Sequence, residues 1–77
     1  MFEKFPDSII YNVVINHEEQ FTIWPTKLST PKGWKTSKPT GTKQEIEKQL
    51  ITDRDTGRPA PREIQEEMAK KARALLG

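Results

Sequence analysis

No cysteine occurs in this chain, so a disulfide framework, a thiolate metal site and a cysteine nucleophile are excluded together. The expectation is a reducing compartment, with the cytoplasm as the default. Long apolar runs are missing too: nothing approaches the ~20 residues of a membrane span, and Met1 to Asp7, which includes Glu3 and Pro6, does not read as a secretory leader. A membrane role is therefore not expected. Glycine is sparse, at positions 33, 41, 57 and 77, and this scatter rules out the spacings of dinucleotide and P-loop sites. Histidine is sparser still. His17 stands beside Glu18 and Glu19, but a general base needs a nucleophile and an orienting group converging in a pocket, so it reads as a solvated loop side chain. No catalytic residue, metal ligand or cofactor is expected, and the chain is not read as an enzyme.

An excess of one charge is also lacking. Thirteen Lys and Arg stand against eleven Asp and Glu, a formal charge of +2 with the signs interleaved. Nucleic-acid binding usually clusters positive charge on one face, which this pattern does not do. Lys32, Lys35, Lys38 and Lys43 nevertheless form a loose basic stretch beside Trp34. A small single-stranded nucleic-acid-binding module, with Trp24 and Trp34 as stacking platforms, is thus the alternative to a protein-binding role. With 77 residues and six aromatics there is room for one domain, 1–77, with a thin core.

What is present is a β half followed by a helical half. Ile9 to Ile15 alternates Ile9, Tyr11, Val13 and Ile15 with Ile10, Asn12 and Val14, and is β-branched enough for a strand. Asn16 to Glu19 reads as a hairpin loop, and Gln20 to Trp24 alternates again until Pro25 ends it. Phe21 and Ile23 share the core-facing side, which sends Thr22 and Trp24 to the other. A large ring on that side stays uncovered unless a neighbour or a partner covers it. Trp34 is the candidate neighbour, since it follows the turn Pro31-Lys32-Gly33 and opens a short third strand, Trp34 to Thr36. Composition alone leaves two readings of the tryptophans open: caps on a sheet short of core, or a site that grips a partner.

Pro39 and Gly41 are expected to close the β region, and Thr42-Lys43-Gln44-Glu45 is a capping box that opens a helix to Ile51, with Ile46, Leu50 and Ile51 inward. Thr52 to Ala60 reads as a loop. Pro61 to Leu76 is the second helix, with Glu66–Lys70 and Glu67–Lys71 pairs and a seam of Ile64, Met68, Ala72 and Leu75. Residues 61–77 thus form a C-terminal helix. The fold class predicted is α+β: a small three-stranded antiparallel sheet packed against one short helix plus this C-terminal one.

Asn16, Glu18, Gln20, Thr22, Trp24, Pro25, Pro31, Gly33 and Trp34 together resemble the signature of MbtH-like proteins, NxExQxSxWP, five residues, then PxGW. Thr22 stands for the usual serine and keeps its hydroxyl, and Gly41 follows the second tryptophan by seven residues, as is common there. The family's later segment WTDMRP, counted without gaps, falls on Arg54 to Pro59, where only Arg58 and Pro59 match; a lengthened loop would instead set Thr52-Asp53 on its Thr-Asp. The resemblance implies a non-catalytic accessory protein that binds the adenylation domain of a nonribosomal peptide synthetase, stabilising or activating it. It also implies that the two tryptophans clasp a small side chain of that partner. The partner-binding set it gives is Thr22, Ile23, Trp24, Pro25, Pro31, Gly33 and Trp34, while Asn16, Glu18, Gln20, Arg58 and Pro59 are structural. The free protein is expected to be monomeric.

Overall fold

The computed structural model describes residues 2–52 and 57–76. Strands β1 (Ile10–Asn16) and β2 (Gln20–Pro25) form the expected antiparallel hairpin, pairing Tyr11 with Pro25, Val13 with Ile23 and Ile15 with Phe21. One side chain organises its turn. Asn16 Oδ1 accepts from the amides of Glu18 (2.9 Å) and Gln20 (3.0 Å), and its Nδ2 donates to Gln20 Oε1 (2.9 Å). These bonds hold Glu19 in the left-handed region, at φ 60°.

The sheet is larger than the sequence predicts. Strand β3 spans Trp34–Thr42 rather than Trp34 to Thr36, and pairs antiparallel along the other edge of β1. Pro39 does not end it, because the register shifts there: Val13 faces Ser37 while Asn12 faces Thr40. A shift of this kind is where a strand tolerates a missing amide donor. A fourth strand, β4 (Arg58–Pro59), lies parallel to the start of β2, giving the order β3-β1-β2-β4. Pro59 has no N–H, so the ladder is carried by its neighbours: the Arg58 amide donates to Glu19 O (3.1 Å) and the Ala60 amide to Phe21 O (2.8 Å). Gly57 enters this strand at φ +100°, with its Cα against the Glu19 carbonyl, where a Cβ would collide. The loop predicted for Thr52 to Ala60 is therefore corrected at its end, and its residues 53–56, with the Thr52-Asp53 and Arg54 to Thr56 alignments, lie outside the described residues.

Helix α1 (Lys43–Thr52) begins as its capping box dictates. The Glu45 amide donates to Thr42 Oγ1 (3.3 Å), and Glu45 Oε1 accepts from the Thr42 amide (3.2 Å) and hydroxyl (3.0 Å). Ile46 and Leu50 are buried as predicted, but Ile51 is 77% exposed and takes no part. Helix α2 (Arg62–Ala74) starts after Pro61, whose carbonyl accepts from the Gln65 amide at 3.1 Å. Its seam is Met68, Ala69 and Ala72 with Ile64 half-buried, while Leu75 turns outward. Glu66 reaches not Lys70 but Lys4 (3.2 Å) and Arg62 (3.4 Å). Lys4's hydrogen bond and charge hold its carboxyl below the usual range.

The first face of the sheet carries Tyr11, Val13, Phe21 and Ile23, all buried. Phe2 and Phe5, which no periodicity marks, extend it: Phe5 stands edge-on to Tyr11 at 5.8 Å and Phe2 edge-on to Phe5 at 5.7 Å. The Tyr11 hydroxyl donates to Pro6 O at 2.7 Å, and burial, with Asp7 nearby, pushes the phenol pKa up to about 12. Helix α1 is tied to this side through Phe2 N to Glu47 Oε1 (3.1 Å) and Lys43 Nζ to Phe5 O (3.1 Å).

Candidate partner-binding face

The strand registers define the second face residue by residue. Asn12 pairs with Trp24 on β2 and Thr40 on β3, Val14 with Thr22 and Thr36, and Asn16 with Trp34. Paired residues point the same way. Trp24 and Trp34 therefore share one face, at opposite corners of a patch centred on Val14, as the alternation predicts for Trp24. Strand spacing sets their Cα atoms roughly 16 Å apart.

This face is not bare. The connection from 26 to 33 folds back toward it, with the Trp24 indole Nε1 donating to Ser29 O (2.9 Å) and the hydroxyls of Thr30 and Thr36 sharing a hydrogen bond (2.8 Å). Leu28 packs on the core. The connection ends in a tight turn: the Trp34 amide donates to Pro31 O (3.1 Å) across Gly33, whose φ of +88° suits the third position of a type II turn. Val14 and Thr22 are fully buried as a result, and Thr22 Oγ1 has no hydrogen-bond partner among the described residues.

The side that carries Trp24 does not stay uncovered: it is covered within the chain, and Trp24 is only 5% exposed. The same lack of an open face removes it as a stacking platform, so the nucleic-acid alternative loses half its aromatic pair. Two of the four lysines are also turned from that face. Lys35 pairs with Ile15 and so points to the first face, and Lys43 is bound to Asp7 at 2.7 Å.

Of the remaining partner-binding residues, Ile23 and Pro25 belong to the buried first face and are corrected to core, Pro31 and Trp34 are half-buried, and Gly33 is exposed. Trp24 and Pro31 line a cleft of about 810 Å³ beside α2, while Trp34 and Gly33 line another of about 620 Å³ with Ile15 and His17. Sequence reasoning missed the helix as a wall of the first cleft. There Lys71 Nζ stands 6.0 Å from the centre of the Trp24 ring, with Met68 nearby in the core cluster. The signal was available, because residue 71 flanks the buried 68–72 row on a helix.

Among the structural set, Asn16 and Gln20 build the turn, Arg58 and Pro59 form β4, and Glu18 takes part through its amide. His17 lies exposed at that turn. Among the described residues no group of three or more His, Asp or Glu comes together as a metal site, and no helix is long and apolar enough to cross a membrane.

Fold and site together define a small α+β domain with two tryptophans on one sheet face, one of them covered within the chain. The MbtH-like protein family model matches residues 1–64, and the chain belongs to that family, whose members are small proteins associated with nonribosomal peptide synthetases. Comparison with the curated proteins finds no match.

Proposed function

We propose that this chain is a non-catalytic accessory protein that binds an adenylation domain of a nonribosomal peptide synthetase in the cytoplasm and stabilises or activates it. The observation that carries the reading is the placement of Trp24 and Trp34 on one sheet face, within the segment matched by the family model. Partner contact centres on Trp34 and the Pro31–Gly33 turn, which present surface, with Trp24 and Thr22 beneath. A rigid ring held by a proline- and glycine-shaped turn buries a small apolar group at low entropic cost. The free protein is a monomer in this reading.

Co-expression with candidate adenylation domains tests it, through a complex that survives gel filtration and through amino-acid-dependent ATP/pyrophosphate exchange. The expected result is exchange that rises with this protein and never occurs with it alone. An adenylation domain whose solubility and exchange are identical with and without the chain, across a panel of candidates, counts against it.

A further inference from the structure

Helix α2 is placed where a partner of Trp24 would go. The family match ends at residue 64, so most of α2 lies beyond the matched segment. Met68, Ala69 and Ala72 dock into the cluster that holds Trp24, and Lys71 approaches the indole itself. What remains of the ring's exposure opens into the cleft between Trp24, Pro31 and this helix.

The docking is shallow. Two of its three buried side chains are alanines. The polar fastenings beyond the first turn are exposed, and both converge on Lys4: its ammonium donates to Glu66 (3.2 Å) and its carbonyl accepts from Arg73 Nη1 (2.9 Å). The helix has no side-chain cap at Pro61, where the chain is extended at ψ 149°, and Leu75 and Leu76 are left exposed at its far end. A rigid-body swing about Pro61 would therefore break few contacts.

We propose, resting on the partner reading above, that α2 is a self-docked cap on the Trp24 side of the partner face, and that the adenylation domain displaces it. Docking of the helix and binding of the partner then compete for one surface. The free protein holds most of its molecules in the closed form, and its apparent affinity is reduced by the closed fraction.

The test uses the full chain carrying Ala72→Glu, which puts a charge in the docking seam, and separately Glu66→Ala with Arg73→Ala, which loosens only the exposed fastenings. Acrylamide quenching is read in a Trp34→Phe background, where Trp24 is the sole indole, and affinity in the natural background against an adenylation domain that the unmodified chain retains on gel filtration. Quenching should rise, and partner affinity should tighten by about tenfold if nine molecules in ten are closed. Weaker or unchanged binding with raised quenching overturns the cap and makes α2 a wall of the partner site or a bystander. Unchanged quenching in both variants overturns it as well. If Ala72→Glu does not fold, the surface pair decides. An unmodified chain that retains no adenylation domain defeats the partner reading itself, and the cap with it.

Discussion

Trp24→Ala is the substitution on which folding and binding readings collide. An indole buries about 150–250 Å², which at about 25 cal/mol per Å² puts the burial near 4–6 kcal/mol, and such truncations cost about 3–5 kcal/mol in all. Trp24 is 5% exposed, so nearly the whole of this is at stake. Its Nε1 bond to Ser29 O, at 2.9 Å, adds about 1 kcal/mol and leaves a carbonyl without its donor. Trp34 is half-buried and forfeits roughly half as much or less, about 1–2 kcal/mol. At about 4–8 °C per kcal/mol for a domain of this size, Trp24→Ala should melt more than ten degrees below Trp34→Ala and close to Phe21→Ala. Thermal melts followed by far-ultraviolet circular dichroism measure this, with a pull-down on an adenylation domain beside them. Trp34→Ala is then the clean probe of partner contact, losing the complex with its fold intact. If Trp24→Ala melts no earlier than Trp34→Ala, the covering connection and helix contribute nothing, and the reasoning from burial fails.

Three further outcomes are expected. Gly57→Ala forces a Cβ against the Glu19 carbonyl at a φ that alanine avoids, and should cost about 1–3 kcal/mol in urea unfolding while detaching β4. Thr22→Val keeps the shape but removes a buried hydroxyl that has no partner among the described residues, so it should raise the melting temperature; a fall would mean that the hydroxyl is satisfied in solution. The Tyr11 pKa is raised in the folded state, so its contribution is fully present below pH 10 and is lost as pH climbs through 12; between pH 10 and 12 the natural protein should lose about 2 kcal/mol more than Tyr11→Phe in alkaline denaturation.

Much of this architecture could be read from local chemistry. Asn16 and Gln20 sit where a turn needs side-chain acceptors and donors, Thr42 and Glu45 are a complete capping box, and the Glu-then-Lys order of α2 agrees with its dipole. What escaped depends on partners distant in sequence. Arg58 and Pro59 are too few to alternate and become a strand only because Gly57 lets them reach β2. Phe2 and Phe5 carry no period and are placed by Tyr11. Alternation assigns Trp24 to its face, but it says which way a ring points, not what lies over it. Its cover is made of residues 26–33 and α2, which the strand pattern does not contain.

The turn at Asn16 also bears on how fast the chain folds. The hairpin it closes joins residues near in sequence, whereas β4 reaches the same turn from about forty residues away, and the Lys4–Glu66 pair spans most of the chain. Closing long loops is slow because their entropy is lost before their contacts repay it. The hairpin is thus the natural nucleus, and the carbonyl of Glu19, fixed there, becomes the landing point for Arg58. Changes at Asn16 should slow folding, while changes at Gly57 or along α2 should leave that rate alone and hasten unfolding.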